Sequence, residues 1–181
     1  MGYWNSILYL WPEGKLMSYI PLATLTLTGN DSEVVFSNIP ATFKDLVFSI
    51  SIRGTSNDQS CVMQLNGDTG ANYSNVRMAG WGASYGSNAT GTSYIFVTGY
   101  NYGVSTTGSY TIAQGSLMDY AATDKHKTSL IRSRSSRDNG DTDTAAGAAR
   151  WANTAAVTSI KFYLTSGSFT SGSTFDLYGV A

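Results

Sequence analysis

The sequence predicts an all-β protein: a single-domain antiparallel β-sandwich, jelly-roll-like, with about ten strands. Three observations predict it. Apolar and hydroxyl residues alternate with period two, as in Ala23-Thr24-Leu25-Thr26-Leu27-Thr28, so one strand face is buried and the other wet. Polar turn clusters interrupt the alternation at short intervals, among them Gly29-Asn30-Asp31, Asn66-Gly67-Asp68 and Ser166-Gly167-Ser168. Composition supplies the third: 13% charged against 42% hydrophobic residues, with 19 Gly and 12 Tyr. That excludes a charge-driven disordered chain. With only Glu13 and Glu33 as glutamates, it also excludes a coiled coil.

The elements follow in chain order. Residues 1–16 precede the first strand and carry Tyr3, Trp4, Leu8, Leu10 and Trp11, an aromatic arm or extension whose exposed surface would be adhesive. No basic residue precedes its apolar run and no small-residue cleavage pattern follows, so it does not read as a signal peptide. The run is too short to span a membrane. Met17 opens the sandwich domain, residues 17–181. Strands are expected at 23–28, 33–37, 45–53, 61–66, 73–80, 92–98, 107–121, 127–134, 148–152, 157–164 and 174–180. Within 45–53, Phe48, Ile50 and Ile52 fall on one face, with Ser49, Ser51 and Arg53 on the other. Asn66-Gly67 is a turn signal because both residues tolerate positive φ. The stretch 80–91, GWGASYGSNATG, has the composition of a Gly/Ser/Asn loop. Helical character is thin; the best candidate is Thr142–Ala149, with its alanines and Thr/Asp cap, and a loop or single turn is the alternative. No fixed-period repeat is present, which disfavours a solenoid or propeller.

Material for catalysis is scarce. The one histidine, His126, sits in the charged run Asp124-Lys125-His126-Lys127, which reads as a solvated turn. The one cysteine, Cys61, lies in an alternating strand and reads as a small buried hydrophobe. One of each, far apart, makes no zinc site. The acidic loop 137–143 lacks EF-hand spacing and reads as an exposed turn. Asp119 and Asp176 lie in strand patterns and are the carboxylates a small glycan depolymerase would use, Asp119 also fitting an outward polar position. Neither catalytic residues, nor a cofactor, nor a metal are expected. A net charge of −1 gives no field for nucleic acid or an anionic membrane.

Two patterns point to binding. Arg132 and Arg134 share a strand face and suit pairing with Asp across strands or contacts across a subunit interface. Trp81, Tyr85, Tyr100 and Tyr102 offer flat faces for a glycan or an interface, or fill the core. The sequons at Asn30, Asn72 and Asn88 matter only in a secreted eukaryotic protein.

Three ordered segments carry a family resemblance. Tyr19-Ile20-Pro21-Leu22-Ala23-Thr24 and then Val35–Leu46 open it; Asn66-Gly67-Asp68-Thr69-Gly70-Ala71-Asn72-Tyr73-Ser74 follows; Thr158–Phe162 and Phe169–Val180 close it. The set resembles small tailed-bacteriophage virion structural proteins and covers much of 17–181. That resemblance implies a non-enzymatic component of the virion surface, capsid cement or decoration or a tail or fibre protein, commonly trimeric. Its implied partners are further copies of the chain, other virion proteins and a host surface glycan. The alternative it leaves open is a carbohydrate-binding host-adhesion module of a tail fibre. Residues 1–16 depart from the pattern, since such proteins begin near the equivalent of Met17, and the arm is the candidate docking element.

Overall fold

In the computed structural model, residues 18–56, 59–81, 83–99, 109–136 and 142–181 are described. They form β1 (Tyr19–Thr26), β2 (Glu33–Phe36), β3 (Asp45–Ile52), β4 (Cys61–Leu65), β5 (Tyr73–Trp81), β6 (Ala83–Thr92), β7 (Ile95–Phe96), β8 (Thr111–Met118), β9 (Lys127–Ser136), β10 (Thr142–Trp151), β11 (Ile160–Leu164) and β12 (Thr174–Val180). Two antiparallel sheets result, one of eight strands in the order β1-β12-β3-β8-β9-β10-β5-β6 and one of four in the order β2-β11-β4-β7. The chain crosses repeatedly from one sheet to the other, which makes the sandwich jelly-roll-like.

The alternation in β3 places Leu46, Phe48, Ile50 and Ile52 in the core, facing Ile160, Phe162 and Leu164 of β11. Phe162 is the hub. Its ring meets Phe48 at 5.2 Å, Phe175 at 6.0 Å and Phe36 at 6.3 Å. Each such buried ring contributes about 1.5–3 kcal/mol over leaving it in water. Gly115 of β8 makes room for the Phe48 ring: a Cβ there would lie 2.4 Å from Phe48 Cζ and 2.9 Å from Ile131 Cγ1. The Asn66-Gly67 turn forms as expected, with φ of 53° and 66°.

Several sequence expectations are corrected. The all-β sandwich stands as expected, with twelve strands among the described residues; the corrections are local. Thr142–Ala149 is neither helix nor loop but most of β10, laddered to β9 on one side and β5 on the other. Two flanking strands supply every backbone partner a lone Ala-rich helix would supply itself, so sheet pairing overrides helix propensity. The loop-like 80–91 stretch is the end of β5 and most of β6, which pair as a hairpin. Strand 107–121 is shorter than expected, β8 ending at Met118, so Asp119 is a turn residue with φ of 47° rather than an outward strand position.

The charged turn 124–127 is solvated only in part. Lys127 is fully buried, and its Nζ donates to the carbonyls of Ala122 (2.6 Å), Lys125 (2.8 Å) and Thr154 (3.1 Å). Burial lowers its pKa, an effect that the charges of Asp124 and Asp119 oppose. His126 itself is exposed, as expected.

Candidate functional site: the outer face of the large sheet

One face of the eight-stranded sheet packs on the small sheet; the other bears the features that suit recognition. Its register can be followed across all eight strands. One cross-strand row runs Thr24, Asp176, Ser49, Gln114, Arg132, Ala146, Met78 and Gly86. The next on the same face runs Pro21, Tyr178, Val47, Ser116, Leu130, Ala148, Val76 and Asn88. A central polar row therefore borders an apolar one.

The apolar groups are large and open to solvent: Met78 is 67% exposed, Val76 57%, Ile112 55% and Leu130 50%. Val76 and Met78 are neighbours on β5, while Ala148 separates them from Leu130, and Ile112 lies beside Arg134 on the same face. Arg132 stands at its centre and borders three shallow hollows, shared with Tyr19 and Leu130, with Ile112 and Arg134, and with Met78 and Ala146. Its cross-strand partner is Gln114, whose Oε1 accepts from Arg132 Nη2 at 2.5 Å, where the sequence suggested Asp. Arg134 lies two residues on, between Ile112 and Thr144. Both arginines are exposed, so the expectation that they share a strand face is met.

The other sequence-derived candidates scatter. Tyr3, Trp4, Leu8, Leu10 and Trp11 of the arm lie outside the described residues, as do Tyr100 and Tyr102. The backbone brings Trp81 and Tyr85 to one hairpin, with Trp81 opposite Ala83 and Ala79 opposite Tyr85. Tyr94 packs edge-on against Phe96 (5.1 Å) and Tyr163 (6.4 Å), an inter-strand cluster rather than an open platform.

The register sets Asp119 and Asp176, the two carboxylates singled out from the sequence, apart from each other, and places Asp45 beside Asp119. Asp119 donates its backbone N–H to Asp45 Oδ1 (2.7 Å), and its own carboxylate pairs with Lys125 at 3.4 Å on the surface. Asp176 lies opposite Ser49, four residues along β3 from Asp45, which is about 13 Å of strand. It accepts from Thr24 Oγ1 at 2.8 Å. Glycoside hydrolysis uses carboxyl separations of about 5–9.5 Å. Among the described residues no group of three or more His, Cys, Asp or Glu could hold a metal ion, and no helix is long and apolar enough to cross a membrane. Cys61 is buried, and burial raises its thiol pKa far above the reactive range.

Sequence reasoning missed a polar part of the interior. Asn75, Arg77, Ser133, Ser135 and Asp143 all point inward and are buried. Asn75 ties the two sheets together: its Nδ2 donates to Thr92 Oγ1 and the Tyr94 carbonyl, and its Oδ1 accepts from Phe96 N–H. The Arg77 guanidinium lies 3.6 Å from the centre of the Phe96 ring. The signal for these residues was present as polar residues inside alternating strands, but local sequence does not say which face is in.

No protein-family model, curated protein or solved structure matches the chain.

Proposed function

We propose that this protein is a non-enzymatic structural component of a bacteriophage particle surface, a capsid cement or decoration protein or a tail or fibre component, which assembles as a homo-oligomer. The virion assignment draws on the ordered resemblance at 19–24, 35–46, 66–74, 158–162 and 169–180. The assembly reading is carried by the outer face of the large sheet, where Val76, Met78, Ile112 and Leu130 surround Arg132 and Arg134. Interfaces combine such an apolar centre with arginine, whereas a glycan-cleaving site would need convergent carboxylates.

Light scattering on the full chain at micromolar concentration tests the assembly reading. The expected result is a homo-oligomer, and Leu130→Asp, which places a charge in the apolar row, should shift it toward monomer. A monomer for the unaltered chain overturns the proposal. The virion assignment is tested by quantitative mass spectrometry of purified phage particles, in which the chain should be present at a fixed copy number; its absence refutes that assignment.

A further inference from the structure

A sheet edge presents unpaired backbone N–H and C=O groups, a template for another strand, and monomeric proteins blunt such edges with charge, proline, bulges or shortness. Three of the four edges here are blunted. β1 contains Pro21 and a register shift between Pro21 and Ala23. β2 has four residues and begins with Glu33, which pairs with Lys161 at 3.4 Å. β7 has two residues.

The fourth edge, β6, is different. Its ten residues, ASYGSNATGT, include neither a charge nor a proline. One irregularity interrupts it: the register skips Gly91, which has φ of 68°, so Ala83–Thr90 remains a regular eight-residue stretch. Among the described residues no strand pairs with its outer side.

We infer that β6 is a self-association edge, which pairs antiparallel with β6 of a second copy about a two-fold axis near Ser87. The occupant follows from the chemistry of the edge. Among the described residues the other edges are blunted, so a second β6 is the best strand they offer. Two-fold pairing about Ser87 sets Gly86 opposite Asn88, Tyr85 opposite Ala89 and Ser84 opposite Thr90, so the one bulky residue meets a small one and no like charges face each other. A formal charge of −1 per chain adds little long-range repulsion. The two large sheets become one continuous sheet, and their outer faces one continuous surface. The seam makes even-numbered assemblies, so the trimer implied by the resemblance would give way to a dimer or be doubled to a hexamer.

The inference rests on the proposed function only in that the chain self-associates, and the test separates the two. A residue k positions from the axis lies about 2k × 3.4 Å from its own copy along the strands, and a disulfide needs Cα atoms within about 7 Å. Under oxidation Ser87→Cys should therefore cross-link as a dimer, while Ser84→Cys and Thr90→Cys, three positions away, should not. The native thiol of Cys61 is buried and does not compete. Asn88→Lys, on the exposed outer face one position from the axis, should lower the dimer fraction about tenfold, with an unchanged far-UV spectrum as the check on folding. An oligomer by light scattering without cross-linking at Ser87, or with equal cross-linking at all three positions, overturns the β6 seam and leaves the assembly reading standing. A monomer overturns both.

Discussion

At the scale of single residues, one side chain that joins distant segments is Asp68, just past the Asn66-Gly67 turn. It accepts from Trp151 Nε1 at 2.7 Å, from Asn72 Nδ2 at 2.9 Å and from Gly70 N–H at 2.8 Å. Trp151 is fully buried and stacks on Tyr73 at 6.4 Å, and the Tyr73 hydroxyl donates to the Asp68 carbonyl at 3.0 Å. One carboxylate thus fastens the 66–73 loop to the end of β10. The Trp151 bond, ahead of those from Asn72 and Gly70, holds the Asp68 carboxyl below its ordinary 3.8, against the partial burial that raises it. With the folded pKa below the unfolded one, the native state binds fewer protons, so the stabilisation is full above the unfolded pKa and lost as pH falls through the folded value. Asp68→Ala should cost about 1.5–3 kcal/mol at pH 7, the range for hydrogen bonds to a charged group. The gap from the unaltered protein should narrow below about pH 4. Urea unfolding at pH 7 and at pH 3 measures both, and an equal cost at the two pH values would show that the charge contributes nothing.

At the scale of elements, legibility in the sequence followed side-chain contrast. β3 was plain because Phe48, Ile50 and Ile52 differ sharply from Ser49 and Ser51. β10 was hidden because its two faces carry the same residue: Ala145 and Ala149 are buried, Ala146 and Ala148 exposed. Period two cannot show where alternate positions are chemically identical. β6 was hidden likewise, its Gly, Ser and Asn being turn formers held in a strand by pairing with β5. The candidate site was half legible. Leu130, Arg132 and Arg134 share a face by local spacing on β9, but register alone brings Val76 and Met78, two strands away, to the same face, across chain separations that no local pattern encodes. Glycines inside strands were likewise opaque, and Gly115 shows why one is there. With Phe48 Cζ 2.4 Å from any Cβ at that position, Gly115→Ala overpacks the joint between β3 and β8. It should cost about 1–3 kcal/mol. In the Phe48→Leu background the cost should fall by at least about 0.5 kcal/mol, the coupling expected of residues in contact. Denaturation of the two single variants and the double variant measures it, and strictly additive costs would place the strain elsewhere.

For the molecule as a whole, β1 and β12, the first and last strands among the described residues, are neighbours. Tyr19 pairs with Val180 and Thr26 with Thr174, and β12 lies between β1 and β3. The fold therefore closes only when its last element arrives, and β12 brings the buried Phe175 and Leu177 to the aromatic cluster around Phe162. Two consequences follow. Pairing of such distant segments must overcome a large loop-closure entropy, so refolding should fall in the slow range of β-sandwiches, about milliseconds to seconds. Removal of residues 174–181 should also do far more damage than its length suggests, because it exposes the flanks of two strands and strips two core side chains. Removal of 18–26 is the contrasting case: β1 is an edge strand whose residues are mostly exposed. The chain without 174–181 should lose cooperative unfolding and near-UV signal, whereas the chain without residues 1–26 should keep both at lower stability. Matched urea titrations decide between these outcomes. Cooperative unfolding of the chain without 174–181, at an unchanged urea dependence, would mean that the sandwich closes without its last strand.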